Sequence, residues 1–348
     1  RGPTVAPHNA YRTLGGGYND WCAITCFSDA QWLSLAGLMG SPQWATSSDL
    51  AALSGRLQHQ EKLDQGIQEW TQTLEKYELM EKCQSAGVPA MPIQSSQDRV
   101  DHDPQLRHRE IYLELDHPVL GLRKFQNAPF KLSETPAVNY QHAPLIGQHN
   151  QEIFEGMLGL SHEEFVAGYE DGTFWPETLE RYPYIDDMIA ADPVPFNAPP
   201  TASEKNVPIP KPGISVPTAA DPLPGPLSGL RVLELTDEKG QFCGKLMADL
   251  GADVIKIEPT GGESSRKVGP FLDDLPHPER SLSFWHYNTS KRGITLNLET
   301  QDGRDLFRRL AASADVILET FAPGYLPSLD LGYQTLHEIN PRLIMCSL

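Results

Sequence analysis

The residues best suited to chemistry gather in two short loops. One is Thr236–Gln241, where Glu238, Lys239, Gly240 and Gln241 follow an apolar run. The other is Pro259–Arg266, where Gly261-Gly262 precedes Glu263 and Arg266. Glycine lets backbone come close to a ligand, and cationic side chains supply donors for phosphate. Other candidates have plainer readings. Cys22 and Cys26 lie four apart on one face of a strand; a metal pair is conceivable, and two small buried residues is the reading adopted. His149, in Gly147-Gln148-His149-Asn150, suggests acid–base chemistry, but Asn150 as a hydrogen bonder at a helix entry explains the phrase as well. His8 and His286 carry less. Gly15-Gly16-Gly17 has no Lys-Ser or Lys-Thr after it, so it reads as a hairpin turn rather than a phosphate loop, and Thr236–Gln241 has no G-x-G-x-x-G.

The elements around these loops explain their position. Leu230–Leu235 reads as a strand, Phe242–Leu250 as a helix stopped by Gly251, and Asp253–Glu258 as a second strand. This is one βαβ unit opening a doubly wound parallel sheet, in which ligands sit at the carboxyl ends of the strands. The alternation continues through Ser281–Tyr287, a strand Ile294–Leu298, a helix Asp302–Ala312, a strand Val316–Glu319, a helix Tyr333–Ile339 and a strand Leu343–Leu348. Such alternation means α/β with a parallel sheet. Lys291-Arg292 reads as charges leading into a strand.

The first half has a different pattern. Trp21–Phe27 reads as a strand, and Ser28 caps a helix carrying Trp32, Leu35 and Leu38. Helices are expected near Glu61–Glu75, with Leu63, Ile67, Trp70 and Leu74 at helical spacing, and near Tyr77–Ala86, stopped by Gly87. Strands near Ile111–Leu115 and Leu122–Phe125 flank a turn, and Ser161–Glu164 is a capping box. Between the halves, Asp192–Pro226 carries eleven prolines and reads as an extended linker.

With 348 residues, the chain can bury two modest cores. Hydrophobic content of 39% and charged content of 21% are those of a globular protein. A net charge of −18 argues against nucleic acid but leaves room for a small anionic ligand on local donors. No apolar run is long enough to span a bilayer. An odd count of five cysteines suggests reduced thiols and a cytoplasmic location. The chain opens on Arg1 and closes within the apolar run Leu343–Leu348, so a piece of a longer protein is expected.

Three phrases of the second half resemble the class III CoA-transferases, the formyl-CoA and carnitine CoA-transferase type. They are Met247–Pro259, Asn288–Leu296 and Ala314–Phe321; Asn340–Ile344 fits as well. The first half resembles the other end of the same family, through Pro7–Tyr11, Ala86–Ala90, Asp103–Leu106 and Ala143–Asn150. The resemblance therefore implies a tandem fusion, with the tail of one copy ahead of the head of the next. It implies a small α+β domain and C-terminal segment over residues 1–165, a helix end and linker over 166–226, and an N-terminal, CoA-binding Rossmann-like half-sheet over 227–348.

The resemblance also implies a function: transfer of CoA between an acyl-CoA and a free carboxylic acid through an aspartyl anhydride and thioester. The family's aspartate falls outside these residues, so no catalytic residue is assigned, no metal and no cofactor beyond CoA as substrate are expected, and the fragment alone is expected to be inactive. The CoA-binding residues it implies are Lys239, Gly240, Gln241, Pro259, Arg266, Leu296, Thr320 and Phe321. Phe321 would stack on adenine, Thr320 would hydrogen-bond, and Arg266 would replace the phosphate-binding arginine of members that do not have Pro259. Two departures stand out: the Thr236–Gln241 loop is about one residue short, and Ser328 stands where members often carry arginine. The partners implied are the two substrates and an interlocked second copy, with no nucleic acid and no membrane. The α-methylacyl-CoA racemases, which share this fold and use an acid/base pair, are the alternative enzyme. A non-catalytic structural copy is the alternative outside enzymes.

Overall fold

The structure, a computed structural model, describes residues 4–137, 140–174 and 225–348. The linker expected at Asp192–Pro226 lies outside these residues, apart from Gly225 and Pro226. The chain forms two compact units, Arg1–Pro104 and Gln105–Leu348.

The first unit holds an antiparallel sheet of β1 (His8–Arg12), β2 (Trp21–Thr25) and β3 (Ala90–Pro92), in that order. Its core joins Tyr11, Cys22 and Ile24 to Trp32, Leu35, Leu63, Ile67 and Leu79 from the helices. Ser28 caps the helix Asp29–Leu38 by accepting from the Gln31 amide, as its sequence predicts. The helix expected to reach Glu75 spans Gln60–Thr71 instead, and the next begins at Lys76 under a Glu75 cap. Sequence did not reveal β1 or β3, which are short and carry no alternating pattern. Cys22 and Cys26 are both buried in this core, and burial pushes each thiol up to about 12.

The second unit is α/β. A hairpin of β4 (Tyr112–His117) and β5 (Gly121–Gln126) precedes the capping box, where Ser161 and Glu164 bond reciprocally to open the helix His162–Glu170. The five-stranded sheet follows: β6 (Arg231–Leu235), β7 (Asp253–Glu258), β8 (Arg292–Thr295), β9 (Val316–Glu319) and β10 (Ile344–Ser347). Its order is β10-β9-β6-β7-β8 and every pairing is parallel. The strand order therefore reverses between β6 and β9. Strand β8 begins two residues earlier than the apolar run suggests, because Arg292 already pairs with Ile255.

Residues 105–165, which sequence groups with the first half, cluster in space with the C-terminal sheet. The physical reason is a shared apolar core. Ile146, Ile153, Phe154, Phe165 and Phe174 pack in one cluster with Leu233, Ile255, Ile294, Phe307 and Ile317. The phrase Gly147–Asn150 closes the free edge of β8. Asn150 accepts from the Thr295 amide at 2.9 Å and donates to Thr295 Oγ1 and the Tyr169 hydroxyl. His149 Nδ1 accepts from the Gly293 amide at 3.0 Å, and the His149 amide donates back to the Gly293 carbonyl. A sheet edge left open would present unpaired backbone groups. The two side chains cover this one, so His149 serves the fold rather than acid–base chemistry.

Candidate functional site

Parallel strands place all their carboxyl ends on one edge, and the loops named above meet there. After β6, Thr236–Gln241 turns into the helix Gln241–Asp249. After β9, Thr320 and Phe321 leave the sheet. These two loops flank the point where the strand order reverses. The Asp237 amide donates to Thr320 Oγ1 at 2.9 Å across that point. Gly240 sits against Thr236 and Thr320: a Cβ there would stand 2.7 Å from Thr236 Cγ2 and 2.9 Å from Thr320 Cγ2. Glycine is thus required by close approach. Lys239 is 62% exposed and pairs with Asp237 at 2.8 Å.

Phe321 is half-buried, its ring 4.6 Å from Tyr325 and its amide bonded to Glu319. The Tyr325 hydroxyl donates to Glu299 at 2.6 Å, and burial followed by that carboxylate pushes the phenol up to about 12. Leu296 follows β8; its amide extends the pairing onto the Glu258 carbonyl and its side chain lies in the core. Ser328 is exposed and donates to the Tyr325 carbonyl at 2.6 Å.

The second loop is held from inside. Pro259 is exposed at the end of β7, whereas Arg266 is 0% exposed. Arg266 donates to both oxygens of Glu258, to Glu279 at 2.9 Å and to the Pro144 carbonyl at 3.0 Å, and its guanidinium lies 3.7 Å from the Phe284 ring centroid. Ser264 Oγ bonds Glu238 at 3.0 Å and links the two loops. Gln241 is also buried, its amide oxygen accepting from Ser265 and Asn288. The edge therefore joins Lys239, Thr320 and Phe321 near its surface, with Gly240 buried between the two threonines, and sets Gln241, Arg266 and Leu296 beneath it.

Below the first loop lies a cluster that sequence reasoning passed over. Glu234, Lys256 and Lys291 are all 0% exposed. Glu234 and Lys256 are register partners on β6 and β7, with Nζ 3.3 Å from the carboxylate. Lys291 approaches the other carboxylate oxygen at 2.7 Å. Burial raises the Glu234 carboxyl, but Lys291 and then Lys256 outweigh it, so Glu234 is held below its ordinary value. Burial pushes Lys291 down to about 8, against the pull of Glu234. Lys256 goes up despite burial, because Glu263 and Glu258 add to Glu234 there. The signal was visible in the strands: LRVLEL and DVIKIE each carry a charge inside an apolar run that a parallel sheet buries on both faces.

The chain belongs to CoA-transferase family III, whose model matches residues 1–150 and 227–348. It is 42% identical over 120 residues to the succinyl-CoA:(R)-benzylsuccinate CoA-transferase subunit BbsE of Thauera aromatica, covering 34% of this chain and 29% of that protein. It is 42% identical over 125 residues to the succinyl-CoA:mesaconate CoA-transferase of Haloarcula marismortui, covering 36% and 32%. A solved CAIB/BAIF family protein from Brucella suis aligns at 45% identity over 35% of this chain and 33% of its own, with a TM-score of 0.33. The chain thus spans about a third of the length of these curated relatives. Among the described residues no helix is long and apolar enough to cross a membrane.

Proposed function

We propose that the protein carrying this chain moves CoA from an acyl-CoA to a free carboxylic acid, and that the carboxyl edge of the β6–β10 sheet holds the acyl-CoA. One observation carries the reading: the loops after β6 and β9 flank the strand-order reversal and are tied by the Asp237–Thr320 bond, with Gly240 pressed against both threonines. We read the sheet as a Rossmann-like half, in which such a crevice is the ligand site. The Gly240 backbone then meets the thioester end. Lys239 and the Pro259 rim face the phosphates, Thr320 Oγ1 hydrogen-bonds, Phe321 stacks on adenine, and Leu296 forms the floor. Gln241 and Arg266 act by holding the two loops in place.

The chemistry is assigned to an aspartate outside these residues. Its carboxylate attacks the thioester carbonyl, the C–S bond breaks and CoA leaves as thiolate, giving a mixed anhydride. The thiolate then attacks the aspartyl carbonyl and releases the first acid. The second acid's carboxylate runs the same two steps in reverse. Splitting one transfer into covalent steps lowers each barrier. The order of the family phrases supports a tandem pair of copies that complete one another's sites. Five free thiols suit a reducing cytoplasm.

The test uses the full-length polypeptide. Label exchange between succinyl-CoA, named for both relatives above, and free dicarboxylic acids measures transfer. Calorimetric titration with CoA measures binding. Turnover above a no-protein control, with CoA binding weakened by Phe321→Ala, supports the reading. No exchange with any acid and no saturable CoA heat overturns it.

A further inference from the structure

Glu234 touches both ends of the Thr236–Gln241 loop through buried groups. At the start, the Thr236 hydroxyl donates to Glu234 at 2.7 Å and Lys256 Nζ donates to the Thr236 carbonyl at 2.8 Å. At the end, Lys291 Nζ donates to Glu234 at 2.9 Å and to the Gln241 carbonyl and Asn288 Oδ1, each at 2.8 Å. Asn288 Nδ2 in turn donates to the Gln241 amide oxygen at 2.9 Å. The helix that follows lies directly on the carboxylate: a Cβ on Gly244 would stand 1.8 Å from Glu234 Oε2 and 3.2 Å from Lys291 Nζ. Glycine inside a helix is ordinarily unfavourable, so its presence here is explained by this contact.

We propose that Glu234 and Lys291, with Lys256, form a buried clamp of positioning residues that sets the Thr236–Gln241 backbone against acyl-CoA. The identity of the ligand rests on the CoA-transferase reading; the contacts that make the clamp do not. A buried ionic cluster suits this task because its geometry is specific, even where an apolar replacement would be as stable; here the hydrogen bonds converge on Glu234 Oε1, while Oε2 meets Lys291 as an ion pair at 2.7 Å.

The test is residue-resolved amide exchange on the full-length polypeptide without ligand, followed by CoA titration. Two variants are used. Lys291→Met removes the donor while Glu234 keeps Lys256 and Thr236. Gly244→Ala leaves every charge in place but drives a methyl group onto the carboxylate, although alanine ordinarily favours a helix. For each, amides 237–242 are expected to exchange at least tenfold faster while β6 and β7 keep their protection, and CoA affinity is expected to fall about tenfold. Loop exchange that matches the unaltered protein in both variants overturns the clamp. So does loss of protection across the whole sheet in both, which would make the cluster merely structural. If loop exchange rises locally but the unaltered protein binds no CoA, the clamp stands and the CoA reading fails. If CoA binds and the loop is indifferent to both variants, the reading stands and the clamp fails.

Discussion

Arg266 and Phe321 show how differently two residues of one sheet edge can contribute. Arg266 neutralises Glu258 and Glu279 inside the domain. Removing it takes the guanidinium away from two buried carboxylates, and breaking a buried pair this way costs about 3–5 kcal/mol. Arg266→Met should therefore lower the urea midpoint strongly; an unchanged midpoint would mean the guanidinium is dispensable to the fold. Phe321 is only half-buried, its ring tilted against Tyr325. Phe321→Ala should weaken CoA binding several-fold, since a lost aromatic contact is worth about 0.5–1.5 kcal/mol beyond burial. Its melting temperature should move much less than that of Arg266→Met. Equal CoA affinity in Phe321→Ala and the parent would place adenine elsewhere.

At the scale of elements, the edge of β8 is the sensitive point. Asn150 supplies an acceptor to the Thr295 amide and donors to Thr295 Oγ1 and Tyr169. Leaving a buried backbone amide unpaired costs about 1–3 kcal/mol. Asn150→Ala should cost at least that, and exchange should quicken first at the Thr295 amide. Retained protection at Thr295 would show that another group takes over. Next to it, His149 must stay neutral to accept from Gly293, and burial pushes it down to about 4. The folded value lies below the ordinary 6.5, so the unfolded chain binds the extra proton between these values. Stability is then complete above about pH 6.5 and falls as pH drops towards 4, by about 3 kcal/mol from His149. His117, pushed down by burial to about 3 among His142 and Trp285, adds loss in the same direction. His149→Gln should flatten this part of the profile. An identical acid limb in that variant would remove His149 from the explanation.

For the whole molecule, the shared core sets what can fold alone. Ile146, Phe154, Phe165 and Phe174 belong to the same cluster as the strands of the β6–β10 sheet. Residues 105–348 expressed separately should unfold in one cooperative urea transition followed by circular dichroism. Residues 227–348 alone, stripped of that packing, should bind hydrophobic dyes and unfold without a sharp midpoint. A cooperative transition in the shorter piece would show that the sheet does not need the earlier segment.

Much of this was legible in the sequence. The alternation of apolar strands with helices between Leu230 and Leu348 specifies a parallel α/β sheet, because period and turn residues are local properties. Ser28 and the Ser161–Glu164 box announce their helices for the same reason. The edge on which Gly240, Thr320 and Phe321 meet also follows, since parallel strands put all their carboxyl ends together. What sequence could not supply was the partner of each charge. Arg266 reads as a loop cation until Glu258, Glu279 and the Pro144 carbonyl close around it from three separate segments. Lys291 reads as the start of a strand until Glu234 is brought to it across 57 residues of chain. His149 and Asn150 read as chemistry or a helix entry until they meet β8, more than 140 residues on. Burial decides whether a charged side chain binds a ligand or holds the fold, and burial is settled only when distant segments pack.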